Sequence, residues 1–308
     1  MSMSYVLITP ARNEAAFIEK TLQSVVSQTV LPTRWVIVDD GSTDATAQIV
    51  AQYAESRPWI QLYPLARDSE RSFGGKAHAF NTGWRLVENV DYQIIGNLDA
   101  DISFDSSFFE FLLGQFEQDQ QLGVGGTVFE EEGYHSGIDS FEGQNHVAGG
   151  CQLFRRKCLE DVGGYVLHKR GGIDWIAVTT ARMLGWKTRS FKEKSFFHYR
   201  RMGTAGRGRF AAAFSYGEKD YYLGGHPLWQ LFRCVYRAFK PPYLVEGFAL
   251  AAGYVWAALR RMERPVSKEL VRFHRREQMA KLRAIFKRLV TFQRVDNFAL
   301  TGDQQSRR

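Results

Sequence analysis

The chain has little cysteine. Cys151, Cys158 and Cys234 are its only three, and no two stand at metal-ligand spacing. That excludes a disulfide framework and a cysteine-held zinc site, and leaves reduced thiols as the reading. Two phosphate-binding signatures are missing as well. No Gly-X-Gly-X-X-Gly follows the first strand-like run, and no Walker A sequence occurs, so the dinucleotide fingerprint and the P-loop are excluded. A nucleotidyltransferase of related architecture would want a glycine-rich turn just after that strand, where Pro10-Ala11-Arg12-Asn13-Glu14 stands instead. The apolar stretch 243–259 is broken by Glu246 and falls short of the roughly 20 residues a membrane span needs. Met1-Ser2-Met3-Ser4-Tyr5 leads straight into a strand-like run, so no secretory leader is expected. There is no internal repeat.

What is present is ample material for a core. Hydrophobic residues make up 44% of the 308, with 23 Phe, 13 Tyr and 7 Trp, which excludes general disorder. Charge is unevenly spread. Residues 226–308 hold 17 Lys+Arg against 6 Asp+Glu, a net +11, while the first 225 hold 23 against 27, a net −4. The basic tail is therefore where an anionic partner would bind.

The first half alternates strand-like and helix-like segments. Short apolar runs at 5–9, 35–38, 60–63 and 92–98 read as buried strands. Helical spacing appears between them, with Phe17, Ile18, Leu22, Val25 and Val26 on one face. Such an order predicts an α/β fold with a mostly parallel sheet covered by helices on both faces. Residues 123–129 and 149–154 read as further strands, and a helix is expected from Asp174 to Leu184, ended by Gly185.

Carboxylates stand at two predicted strand ends, Asp39-Asp40 and Asp99-Ala100-Asp101. In a parallel sheet both fall on one edge, where open α/β sheets bind ligands. Paired hard oxygens suit Mg²⁺ or Mn²⁺, which in turn bind phosphate oxygens. With no glycine cradle in the chain, a metal is the expected phosphate holder. Asp39-Asp40 alone reads equally as a helix cap, and Asp-X-Asp alone as a turn.

Four segments together resemble the family 2 glycosyltransferases of the GT-A, nucleotide-diphospho-sugar transferase fold. They are Thr9-Pro10-Ala11-Arg12-Asn13-Glu14, Val38-Asp39-Asp40-Gly41-Ser42-Thr43-Asp44, Gly75-Lys76-Ala77-His78-Ala79-Phe80-Asn81-Thr82-Gly83 and Leu98-Asp99-Ala100-Asp101. The resemblance spans about residues 4–200. It implies that Pro10, Ala11 and Glu14 line a nucleoside pocket, that Asp40 bonds the base edge with Asp39 nearby, and that Lys76 lies beside the nucleotide. It implies that Asp101 binds metal, that Asp99 touches metal or ribose, and that Asp174 is the catalytic base of an inverting displacement. A helix N-cap remains the alternative reading of Asp174. His198-Tyr199-Arg200-Arg201 offers a further metal ligand in His198 and a pyrophosphate partner in Arg201. Gln152 and Trp175 are expected on the acceptor side.

The resemblance implies a nucleotide-diphospho-sugar donor, with uridine the commoner base in similar enzymes and guanosine still open. It also implies a glycan or lipid-linked acceptor in cell-envelope or exopolysaccharide synthesis. The expected division is a catalytic domain over 1–225, with a donor half to about 102 and an acceptor half after it, then a helical extension over 226–308. In that extension, 266–290 is amphipathic, with Val266, Leu270, Phe273, Met279, Leu282, Phe286 and Leu289 against a basic face. It is expected to meet an anionic membrane surface from the cytoplasmic side, or else to pack on the catalytic domain. Nucleic acid is not expected, since an apolar stripe favours lipid or protein. A catalytically silent domain that binds nucleotide or scaffolds an assembly is the alternative function.

Overall fold

The computed structural model describes residues 3–66, 73–138, 143–200, 208–240, 243–293 and Phe298. They form two compact units, Met1–Arg200 and Arg201–Arg308. The boundary expected at 225 falls inside the second unit.

The first unit opens with the expected alternation: β1 (Tyr5–Ala11), α1 (Ile18–Val26), β2 (Arg34–Asp39), α2 (Thr46–Glu55), β3 (Ile60–Pro64), α3 (Phe73–Leu86) and β4 (Ile94–Leu98). Strands β3, β2, β1 and β4 lie side by side and parallel. The two-residue alternation of β1 divides the core. Tyr5 and Leu7 join one buried cluster with Ile18, Leu22 and Phe109. Val6 and Ile8 join another with Phe80, Tyr165 and Val178. Both faces are covered, which is why the strand is a continuous apolar run.

Then follow β5 (Ile102–Ser103), α4 (Phe108–Gln118), β6 (Leu122–Glu131), β7 (Tyr134–His135), β8 (Cys151–Arg155), α5 (Arg156–Val162), α6 (Ile173–Met183) and β9 (Lys187–His198). The sheet order is β3-β2-β1-β4-β8-β6-β9-β5, with β7 on β6. Here the parallel pattern breaks, since β8 runs antiparallel to both β4 and β6. β9 is parallel to β6, but its register jumps. Thr127 faces Phe191 and the next residue, Val128, faces Ser195, so Lys192, Glu193 and Lys194 bulge out. β9 then pairs β5, with His198 opposite Ile102. The whole is a mixed α/β sheet covered by helices on both faces.

The second unit is helical: α7 (Arg209–Tyr222), α8 (Pro227–Ala238), α9 (Val245–Leu259) and α10 (Lys268–Val290). Ser267 caps α10 by accepting the Leu270 N–H. The amphipathic reading of this helix needs correction. Leu270 and Ile285 are buried together with His274, Gln278 and Lys281, whereas Phe286 and Leu289 are exposed. Its inner line mixes apolar with polar side chains, because the neighbouring groups include hydrogen-bonding partners such as the His226 N–H, which donates to Gln278 Oε1. Among the described residues no helix is long and apolar enough to cross a membrane.

Candidate active site

The site gathers where β1, β2 and β4 end. Beyond β1 the chain turns through Asn13 in the left-handed region, at φ 55°. That turn is tied to the loop after β2. The Asn13 N–H donates to Ser42 Oγ, the Thr43 N–H donates to Asn13 Oδ1, and the Glu14 N–H donates to Thr46 Oγ1. Asp39 is buried and accepts the Ser42 N–H at 3.0 Å. That bond braces the loop that follows β2. Asp40 lies 3.3 Å from Arg12 Nη1 and is a fifth exposed, the more accessible carboxylate of the pair.

The β4 edge carries the second carboxylate group. The pairing of Leu98 with Cys151 is extended by the Asp99 N–H donating to Gly150 O, and Asn97 Nδ2 donates to Gly149 O. Asp99 is thereby fixed beside the start of β8. Its Oδ1 lies 2.5 Å from Lys76 Nζ, delivered by the first turns of α3. Asp101, two residues on, is buried and lies 3.4 Å from His198 Nε2. The Tyr199 N–H donates to Asp101 O, so the end of β9 is clamped to this loop. Glu131, at the end of β6, stands 3.3 Å from His198 Nδ1.

Ligand atoms of Asp99, Asp101 and His198 lie within 4.8 Å of one another. Two carboxylates and an imidazole so placed fit a divalent cation. The electrostatics agree. Burial raises the Asp99 pKa above the carboxylate range, against the pull of Lys76 and with the charge of Asp101 adding to the rise. Burial opposes ionisation of Asp101 too, but the hydrogen bond and charge of His198, with Arg200 and Lys76, keep it lowered. Burial pulls His198 down, yet Asp101, Asp99 and Glu131 raise it overall. Lys76 is likewise raised, because Asp99, Asp174 and Asp101 outweigh its desolvation. A crowd of carboxylates held together by cations is what a bound metal ion would relieve.

Arg200 is the residue that sequence reasoning missed. Its guanidinium grips Glu14 with two bonds of 2.9 and 2.7 Å, and its Nε reaches to 3.9 Å from Asp101 Oδ2. It bridges the β1 loop to the carboxylate pair. Proximity in the chain carries the signal that was available: Arg200 is two residues from His198. Arg201, the expected pyrophosphate partner, lies outside the described residues. Glu14, expected along the nucleoside pocket with Pro10 and Ala11, is 5% exposed under this grip, and Ala11 is buried at the end of β1.

Asp174 sits in the first turn of α6, whose N-cap is Gly172 in the left-handed region at φ 83°. A cap is therefore not its role. A Cβ on Gly149 would fall 2.9 Å from Asp174 Oδ2, so glycine at this position lets the carboxylate seat against the start of β8. Its charge reaches both Lys76 and Tyr165. The two expected acceptor contacts are corrected by burial. Gln152 is fully buried, donates to Val147 O at 2.7 Å and accepts the Tyr165 hydroxyl. Both ends of its amide are occupied, so it braces the wall behind the site. Trp175 is 5% exposed and packs inward. Burial raises the Cys151 thiol and pushes Cys158 up to about 12, so neither is a nucleophile near neutral pH.

Residues 6–138, which include Glu14, Asp39, Asp40, Asp99, Asp101 and Glu131, match the model of glycosyl transferase family 2. Over those residues the chain resembles the family 2 glycosyltransferases. Among curated relatives, the 4,4'-diaponeurosporenoate glycosyltransferase of Staphylococcus aureus (strain bovine RF122 / ET3-1) is 30% identical over 122 residues, 39% of this chain. The match spans only 30% of that relative's length. Two solved structures share the fold. The mannosyltransferase PcManGT from Pyrobaculum calidifontis, in complex with GDP-Man and Mn²⁺, aligns at TM-score 0.57 and 21% identity over 97% of this chain and 85% of its own. TarS 1–349 of S. aureus, in complex with UDP-GlcNAc, aligns at 0.53 and 15% over 96% and 90%.

Proposed function

We propose that the protein is a metal-dependent, inverting glycosyltransferase that moves a sugar from a nucleoside-diphospho-sugar to a hydroxyl of a glycan or lipid-linked acceptor. The observation that carries this reading is the convergence of Asp99, Asp101 and His198 within 4.8 Å at a sheet edge that also presents Asp40, Lys76 and Asp174. The donor side is built from residues to about 102, with Asp40 at the base, and a uridine donor is preferred over guanosine. The structural neighbours support a nucleotide-sugar donor, since one holds UDP-GlcNAc and another GDP-Man with Mn²⁺.

Asp99, Asp101 and His198 would hold Mg²⁺ or Mn²⁺. Such an ion, when bound, neutralises charge on the donor diphosphate. Lys76 and Arg200 add fixed positive charge at the same edge. Asp174 accepts the proton of the acceptor hydroxyl. The hydroxyl oxygen bonds to the anomeric carbon as the bond from that carbon to the diphosphate oxygen breaks, and the electron pair leaves with the nucleoside diphosphate. One carboxylate suffices, because the activated donor brings its own leaving group. The second unit would hold the enzyme at the anionic, cytoplasmic face of a membrane, where lipid-linked acceptors lie.

The test is transfer from a panel of UDP- and GDP-sugars with and without Mn²⁺. Asp174→Asn is expected to lower turnover on the order of 10²–10⁴-fold while nucleotide-induced thermal stabilisation persists. Asp101→Asn is expected to abolish the Mn²⁺ dependence of that stabilisation. Full turnover by both variants would sink the reading.

A further inference from the structure

Within the second unit, α9 packs on α8 and on α7 through small residues and backbone. A Cβ on Gly247 would lie 2.5 Å from Cys234 O, and one on Gly253 would lie 2.0 Å from Phe214 O. Gly217 on α7 is as close, 2.1 Å from Leu250 O. Helices that approach by glycine do not need their large apolar side chains for the contact, so those side chains are left for another use. They point outward. On α8 the exposed apolar residues are Leu228, Leu231, Val235 and, just past its end, Phe239. On α9 they are Val245, Phe248, Val255 and Leu259. Each set follows one helical stripe.

The two stripes share a side. Contacts join Gln230 to Leu250, Cys234 to Gly247 and Ala238 to Leu244. One number rises as the other falls, so the helices are antiparallel. Each stripe lies one residue past its contact line: Leu231 after Gln230, Val235 after Cys234, Phe239 after Ala238, and Val245 and Phe248 after Leu244 and Gly247. One residue is about 100° of helix. In an antiparallel pair, the same step from the shared contact line turns both stripes to the same side. The result is one continuous apolar surface on a unit with 21 Lys+Arg against 8 Asp+Glu, a net +13. Arg260 stacks on the half-exposed Trp256 at 4.5 Å, and Lys240 on Tyr236 at 4.6 Å, which places cations beside interfacial aromatic rings.

We propose that the common face of α8 and α9 docks in the plane of an anionic lipid bilayer, with its apolar stripe among the acyl chains and the surrounding cations on the headgroups. The strongly positive unit supplies the charge complementarity that selects lipid over a second, equally positive copy of this chain. The assignment deepens the membrane reading given above and moves the contact from α10, whose middle is turned inward at His274, Gln278 and Lys281, to the α8–α9 pair.

Cosedimentation of the full-length protein with phosphatidylcholine vesicles, with and without phosphatidylglycerol, tests this. Wild type is expected to bind the anionic vesicles and to be released by salt. Leu231→Asp and Phe248→Asp are each expected to weaken that binding by about tenfold or more, with circular dichroism, sedimentation velocity and donor-sugar hydrolysis unchanged. Met279→Asp on α10 serves as the comparison and is expected to bind as wild type. Failure of wild type to bind anionic vesicles overturns the membrane reading itself. Wild-type binding by the two stripe variants overturns the face assigned here. A dimer that the stripe variants dissolve identifies a second copy as the occupant and overturns the lipid.

Discussion

The two units of this chain solve opposite problems with opposite materials. The first, Met1–Arg200, carries 19 Lys+Arg against 25 Asp+Glu and buries its large aromatics, among them Trp35, Phe80, Phe108 and Phe109, on the two faces of a sheet. The second carries a net +13, approaches helix to helix through Gly217, Gly247 and Gly253, and leaves Phe239, Phe248 and Leu259 outside. In the acidic unit, carboxylates at strand ends are fixed by Lys76, Arg200 and His198 into a place for a cation. Among the described residues of the basic unit nothing comparable converges, and its chemistry lies on the surface. Apolar content therefore says little by itself about where stability resides. What matters is whether the large side chain or the glycine sits on the contact line.

That contrast can be broken at its strongest point first. Phe109 is fully buried against Tyr5, Phe104 and Phe108, so Phe109→Ala is expected to cost about 3–5 kcal/mol of stability. The readout is chemical denaturation followed by nucleotide-dependent protection, which reports the first unit. The matching experiment in the second unit is the reverse substitution of size. Gly253→Ala places a methyl 2.0 Å from Phe214 O, and such overpacking is expected to cost about 1–3 kcal/mol. Limited proteolysis between and within the helices would show α7 and α9 loosening. A Gly253→Ala variant as resistant as wild type would mean that close backbone approach is not what joins them.

A surface pair sharpens the comparison from below. Asp119 accepts Lys187 Nζ at 2.9 Å and the Gln121 N–H, with both charged side chains 39% exposed. Slight burial pushes its pKa up, but these bonds leave it lowered. A lowered carboxylate contributes stability above its unfolded pKa and loses it as pH falls through the folded value. Screening at this exposure limits the effect of Asp119→Asn to about 0.5 kcal/mol near pH 7. Thermal melts of the two proteins are expected to converge as pH falls through the lowered folded-state value, below which both states hold the proton.

Much of the first unit was legible because its signals are local. Buried parallel strands read as apolar runs, and strand-end carboxylates stand next to them in the chain. The helix α4 is legible too, since Phe108, Phe109, Leu112, Leu113 and Phe116 keep helical spacing and are all buried. The late strand β9 was harder, because Lys192, Glu193 and Lys194 interrupt its apolar pattern at the bulge.

By itself the sequence determined the strand-helix alternation, the two-faced core, the carboxylate pairs and the charge of the tail, since each rests on neighbours in the chain or on composition. Only the tertiary structure decided which partners the carboxylates meet. Asp39 turned to its own loop, Glu14 met Arg200 from 186 residues away, and His198 reached Asp101 because a register jump in β9 carried it there. It alone decided that Gln152 and Trp175 are walls, and that the outward apolar face belongs to α8 and α9. Such outcomes depend on pairing across the sheet and on which line of a helix its neighbour takes, and neither is written in any short stretch of residues.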